Sequence, residues 1–193
     1  VGRIVLFLGF TSRMTAYVYP DMAVDALASA TPLAVADKTS LNLLDIFLGF
    51  HGGMMGEVCV LAILLGFAYL VATRTIEATV PVTIVATVFV LTALNTGSPY
   101  TALVECMSGG LLFGAVFMAT DYVTCPFTTK GKLFYGVFIG LITFLIRHFG
   151  SMNEGMSYAI LLGNLMTPWF NAWGHQTPLG YKKPKKAKKG GAE

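Results

Sequence analysis

Five apolar runs, near 57–73, 79–95, 101–120, 133–149 and 156–173, constrain this chain more than any other feature. Each is about the length needed to cross a hydrocarbon core of ~30 Å. Inside such a core every backbone N–H and C=O must be paired within the protein, so runs of this length are expected to be helices. Only 12% of the residues are charged, against about 25% in a soluble domain. Too little charge is left to coat a globule in water. The expected class is an all-α integral membrane protein of about five to six transmembrane helices, forming a single membrane domain over 1–193.

The parts of that domain read as follows. Residues 1–10 are apolar from Val1 onward and resemble the end of a membrane helix, with no signal-peptide pattern visible in them. This reading expects an N-terminally incomplete chain. Residues 11–55 are mixed, carrying Pro20, Pro32 and a Gly-rich run from Gly49 to Gly56. Within them 41–47 is expected to form a short interfacial helix. Residues 57–173 are the helical bundle, and 174–193 a basic tail with six lysines between Lys182 and Lys189.

Lysine and arginine set the expected orientation. With the tail cytoplasmic, counting back puts the 74–78 turn (Arg74) and the 121–132 loop (Lys130, Lys132) on the same side. The 11–55 loop and the turns near 96–100 and 150–155 then face outward, with only Arg13, Lys38 and Arg147 near them, as the positive-inside bias requires. Beside membrane spans the tail reads as a lipid-facing anchor rather than a nucleic-acid patch, so lipid is an expected partner and nucleic acid is not.

One span departs from the others. The 101–120 run carries Glu105 and then Ser108-Gly109-Gly110 at its middle. Glycine pairs are poor in a helix interior and a carboxylate in the bilayer is costly. A broken helix with half-helix ends aimed at a ligand accounts for both features; a glycine-lined packing face around a protonated Glu105 is the alternative. The Gly52-Gly53-Met54-Met55-Gly56-Glu57 stretch either exposes N–H groups to a phosphate or lets helices pack closely. Thr120 ends the 101–120 span and Asp121 follows it, where Asp121 either caps the next turn or meets a flavin or a cation. Arg147 and Glu154 flank one turn and form a candidate ion pair. Cys59, Cys106 and Cys125, and likewise His51, His148 and His175, are too scattered for a metal cluster. No Walker loop, Rossmann fingerprint or hydrolase nucleophile–base pair is present in the sequence, so hydrolytic and ATP-driven functions have no support.

One further stretch is Asp25-Ala26-Leu27-Ala28-Ser29-Ala30-Thr31-Pro32. Thr31 before Pro32 reads locally as a helix N-cap with proline at the first helical position. Its hydroxyl is also a group that can be esterified through a phosphate, tethering a phosphorylated cofactor without cysteine or histidine.

Four blocks together carry a resemblance: Asp25 to Ala34; Gly49-Phe50-His51-Gly52-Gly53-Met54-Met55-Gly56-Glu57; Ser108 through Asp121; and Glu154-Gly155 with Asn164 and Pro168. They resemble the D subunit of the Rnf complex, the ion-translocating ferredoxin:NAD⁺ oxidoreductase, with the B subunit of the sodium-pumping NADH:quinone reductase close behind. The likeness covers nearly the whole chain except the lysine tail and begins part-way through the family protein. It implies a fold similar to urea and ammonium channels. It also implies FMN joined by a phosphoester to the threonine ending an Asp-x-x-Ser/Thr-Gly-Ala-Thr motif, installed outside the cytoplasm by a flavin transferase. By position that threonine is Thr31, with Asp25, Ser29 and Ala30 around it. Ala28 stands where Ser or Thr is usual, and Ser29 where Gly is common. The family's Asp-Pro-Val-Thr-Ser-Pro appears as Asp121-Tyr122-Val123-Thr124-Cys125-Pro126, and Asn171 replaces an aspartate.

The resemblance further implies partners. These are the flavin-bearing G subunit, the NADH-binding C subunit, the A and E subunits of the membrane part, and the transferase. Electrons from ferredoxin would pass by way of a flavin outside to this FMN and return toward NAD⁺. A non-covalent riboflavin is implied deeper in the membrane, with the Ser108–Asp121 segment, including Thr120 and Asp121, as its candidate place. In isolation such a protein would turn over nothing. The competing readings are the quinone-reductase subunit, a small-solute channel or transporter built on the same broken helix, and a structural assembly subunit.

Overall fold

The computed structural model describes residues 2–10, 42–50, 56–150 and 155–174. Among them the regular structure is entirely helical: α1 (Gly2–Gly9), α2 (Leu43–Leu48), α3 (Val60–Ala72), α4 (Thr79–Thr96), α5 (Pro99–Met107), α6 (Leu111–Phe113) running into a π-helical turn (Gly114–Met118), α7 (Thr129–Phe149) and α8 (Met156–Trp173).

Two of these, α4 and α7, are each long and apolar enough to cross a membrane. At 1.5 Å per residue they reach roughly 27 and 31 Å. Only 28% and 33% of their apolar windows are buried inside the protein, so most of each helix turns an apolar face outward, as lipid requires and water would penalise. Taken together, α5, α6 and the π turn are also long and apolar enough, but they are bent by 65° at the break. The broken segment expected from Ser108-Gly109-Gly110 is therefore present. The expected 57–73 span is shorter in the structure. Cys59 is extended (φ −90°, ψ 99°) and α3 holds 13 residues, about 20 Å of helix. The 18-residue α8 has the bounds of the fifth expected span, but with Asn164, Pro168 and Asn171 in it, it is not among the helices apolar enough to cross, so the described residues supply two or three candidate spans where five to six were expected.

Local sequence explains the boundaries. Gly97 ends α4 in the left-handed region (φ 66°), and Pro99 opens α5 at its first turn, where the missing N–H is no loss. Thr128 caps α7, its hydroxyl accepting from the Gly131 N–H at 3.1 Å.

The main core joins α4, the π turn, α7 and α8 through Val80, Ile84, Ala115, Tyr135, Ile139 and Ile160, all buried. A second cluster packs Val60 and Ile63 of α3 against Leu112 and Val116. The most extensive seam lies between α4 and α7. A Cβ on Gly136 would stand 2.8 Å from Thr83 Cβ, and one on Gly140 2.7 Å from Thr87 Cβ. Thr83 and Thr87 turn their hydroxyls back to the carbonyls of Thr79 and Thr83 at 2.6 and 2.7 Å. They therefore face the glycines as small, satisfied residues.

Candidate functional site

The break in the bent pair is built from three residues. Ser108 leaves α5 in an extended conformation (φ −97°, ψ 146°), Gly109 turns left-handed (φ 68°), and Gly110 starts α6. A helix ended inside an apolar bundle leaves carbonyls that need donors. Arg147, in the last turn of α7, supplies them: Nη1 donates to the Glu105 carbonyl at 2.8 Å and Nη2 to the Ser108 carbonyl at 3.3 Å. One guanidinium thus ties the end of α5 to the end of α7.

The Glu105 side chain points into the same place and is only 2% exposed. Its Oε2 lies 3.4 Å from the Thr92 hydroxyl on α4 and 3.3 Å from His148 Nε2 on α7. The imidazole contact is close in distance but lies off the ring's N–H axis, so it is an electrostatic contact without hydrogen-bond geometry. On the other side of the ring, Asn95 Nδ2 stands 3.4 Å from Nδ1. Ser108 is fully buried, and its hydroxyl has no hydrogen-bond partner among the described residues. Across the break a second carboxylate, Glu57, is 7% exposed and sits against Gly110, where a Cβ would be 2.9 Å from Oε1. The two buried carboxylates of the described region therefore flank the same three-residue break.

The opposite end of α4 and α7 carries a second concavity, a cavity of about 230 Å³ lined by Arg74, Glu77, Thr120, Cys125, Phe127 and Lys132 among others. It joins the 74–78 turn to the 121–132 loop, the two connections that the alternation of spans assigns to one end. Lys132 Nζ pairs with Glu77 Oε2 at 2.7 Å. The loop is fastened to α8, with Thr167 donating to the Thr124 carbonyl at 2.9 Å and Asn171 Oδ1 accepting from the Phe127 N–H at 3.0 Å. Burial pushes the Cys125 thiol above its usual range; Lys132 pulls it down, while Glu77 and Asp121 push it up.

The expected site residues distribute unevenly. Thr120 lines this cavity, but its hydroxyl is spent on the Val116 carbonyl at 2.6 Å. Asp121 is exposed and accepts from the Thr124 hydroxyl at 3.2 Å, a local turn bond of the capping kind. A cavity of 230 Å³ is below the ~300–1,000 Å³ of pockets that enclose drug-sized ligands, so these walls do not by themselves enclose a riboflavin. Asp25, Ser29, Ala30 and Thr31 lie outside the described residues, as do Glu154 and the 51–55 part of the glycine run. Among the described residues no group of three or more His, Cys, Asp or Glu side chains is placed to hold a metal ion.

Sequence reasoning singled out Glu105 and the break but not the residues that close on them. Thr92, Arg147 and His148 come from 13 to 43 positions away, with no local pattern to mark them. Asn164, quoted only as part of the resemblance, accepts from the buried Tyr135 hydroxyl at 2.6 Å and pins α8 to α7.

Comparison with known proteins gives consistent matches. The sequence model described as the NQR2, RnfD, RnfE family matches residues 1–180. The chain is 37% identical over 194 residues to the D subunit of the Na⁺-translocating ferredoxin:NAD⁺ oxidoreductase complex of Acetobacterium woodii, covering 97% of this chain and 60% of that protein. It is 32% identical over 203 residues to the D subunit of the proton-translocating ferredoxin:NAD⁺ oxidoreductase complex of Clostridium ljungdahlii, covering 95% and 60%. Against the D subunit of the ion-translocating oxidoreductase complex of Stutzerimonas stutzeri the identity is 42% over 130 residues, covering 65% and 37%. The chain spans about 60% of the length of the first two relatives.

Proposed function

The chain belongs to the NQR2, RnfD, RnfE family, and from that premise we propose that it is the membrane electron-transfer D subunit of an ion-translocating ferredoxin:NAD⁺ oxidoreductase, carrying FMN on Thr31. The observation that carries this reading is the family match over residues 1–180, which takes in the Asp25–Thr31 stretch. The relatives' names, which make them D subunits of ferredoxin:NAD⁺ or ion-translocating oxidoreductase complexes, favour this over the quinone-reductase alternative.

In this reading the Thr31 hydroxyl is the anchor, with Asp25, Ser29 and Ala30 presenting it to a flavin transferase. Bound there, FMN passes electrons between one- and two-electron carriers, and the protein's part is to hold and tune it. A covalent anchor removes dissociation and keeps the ring in reach of the G and C subunits, with the A and E subunits beside it in the membrane. The spans then number five or six in a urea-channel-like arrangement, with the Thr31 loop outside the cytoplasm and the lysine tail inside. Thr120 and Asp121 are the candidate second-flavin or ion position. A riboflavin there would draw its remaining walls from outside the described residues.

The test is ultraviolet fluorescence of the denatured band on a gel, in cells that make the flavin transferase, with Thr31→Ala beside the wild type. The expected result is a fluorescent band that Thr31→Ala abolishes. A dark wild-type band, with the transferase shown active on another substrate, sinks the Thr31 assignment and directs attention to solute flux through the broken helix.

A further inference from the structure

We propose that Glu105 and His148 form a proton-binding site inside the bundle, loaded from the α7 end through the imidazole. The inference goes beyond the flavin reading and does not depend on it, since it concerns only groups at the helix break.

The geometry has the parts such a site needs. Glu105 is 2% exposed, while the His148 side chain is 17% exposed at the end of α7, so the imidazole stands between the surface and the carboxylate. Nε2 faces Glu105 Oε2 at 3.3 Å and Nδ1 faces Asn95. An Asn side chain carries both a donor and an acceptor, and its two ends are interchangeable by rotation. Asn95 can therefore donate to a bare Nδ1 or accept from a protonated one. Thr92, whose hydroxyl reaches Oε2 at 3.4 Å, likewise adapts to either state of the carboxyl.

Once a turn of the imidazole lines Nε2–H up with Oε2, which stands 3.3 Å away and off the ring's N–H axis, a proton entering at Nδ1 is matched by one leaving from Nε2 to Oε2. The result is a neutral imidazole in its other tautomer and a neutral carboxylic acid, with one proton gained by the site and no other bond changed. In the unloaded state the carboxylate has Nε2–H and the Thr92 hydroxyl beside it.

A proton suits this place better than a metal cation. The Glu105 and Ser108 carbonyls, the oxygens a cation would recruit at a broken helix, already accept from the Arg147 guanidinium at 2.8 and 3.3 Å. A proton shared by two side chains needs no such further ligands. The charged and titratable groups around the break among the described residues include Arg147 and His148 on α7, the second buried carboxylate Glu57 against Gly110, and Cys106 beside Glu105; α4 contributes the neutral Thr92 and, by way of His148, Asn95.

The experiment is infrared difference spectroscopy across a pH series, at fixed redox state, on the full-length protein in its native membrane assembly. The wild type should show a protonated-carboxyl C=O band that grows as pH falls and is missing in Glu105→Gln. His148→Gln should move the midpoint of that band by about one pH unit, a roughly tenfold change in proton affinity. Superimposable wild-type and Glu105→Gln spectra overturn the proposal. If Glu105→Gln does not assemble, His148→Gln decides alone: a band with an unchanged midpoint overturns it. Loss of flavin fluorescence in Thr31→Ala leaves the band in place, so the two proposals fail separately.

Discussion

The α4–α7 seam and the α5–α6 break use glycine for opposite ends. Along the seam, Gly136 and Gly140 remove side chains so that two unbroken helices approach until Thr83 and Thr87 fill the space. At the break, Gly109 supplies a left-handed turn that no helix contains, and the chain bends by 65°. The seam meets its polar needs within each helix, each threonine bonding to its own preceding turn. The break meets its needs from outside, borrowing Arg147 from α7. The difference teaches where chemistry can reside. A seam of self-satisfied helices is rigid and inert. A break leaves backbone and side-chain groups in apolar surroundings that must find partners, and here they gather Glu105, His148, Thr92 and Ser108. The seam holds the helix from which Arg147 and His148 extend, so the inert region positions the active one.

The sharpest way to break the comparison is to put a side chain into the seam. At Gly140 an added Cβ would meet Thr87 Cβ at 2.7 Å and the Ile84 carbonyl at 3.1 Å, so backbone as well as side chain must move. Gly140→Ala is expected to cost about 2–3 kcal/mol, the upper part of the overpacking range, read as loss of thermal stability in detergent. Thr87→Gly in the same chain moves the missing Cβ to the other helix and should return part of that loss. A double variant no better than the simple sum of the two would show that the contact does not govern the approach.

A somewhat smaller effect is expected at the break. Arg147→Ala strips two donors from the end of α5, and unsatisfied buried carbonyls cost about 1–3 kcal/mol; a loss of about 2 kcal/mol is expected. Location is the more telling readout. Hydrogen exchange of the Ser108 amide, which bonds the Val104 carbonyl at 2.9 Å, should accelerate, while amides of α4 along the seam should not. Arg147→Lys, with one ammonium in place of a fork, should recover only part of the protection. Uniform acceleration in both regions would mean that the guanidinium supports the whole bundle rather than the break.

How far these regions were legible in the sequence follows from the range of the forces. The apolar runs at 79–95 and 133–149 announced α4 and α7, because lipid exposure is written residue by residue. The break was legible too, since Ser108-Gly109-Gly110 next to Glu105 is a local conflict with helix. The seam had a signal, glycines four apart at 136 and 140, but its partner threonines lie some 50 residues away and carry no mark of the pairing. The convergence of Thr92, Arg147 and His148 on Glu105 had none, because it depends on how three helices are rotated about their axes. The 57–73 run read as a span by apolarity, yet its first three residues are not helical, and Glu57 among them lies against Gly110. Of the candidate site, the Asp25–Thr31 stretch was legible only through resemblance; its local pattern is that of an ordinary helix cap.

The smallest expected effect separates the two uses of glycine most cleanly. At Gly109 the backbone stands at φ 68°, a region that costs an L-residue roughly 1–2 kcal/mol. Gly109→Ala should therefore destabilise by about 1 kcal/mol, and Gly109→Asn by less, because asparagine tolerates the left-handed conformation better than alanine. At Gly140 the order reverses: the larger asparagine must cost more than alanine, since what is lacking there is room. Thermal stability of the four variants in one detergent gives both orders. If asparagine is worse than alanine at both positions, the break is limited by space like the seam, and the left-handed turn is not what glycine contributes to it.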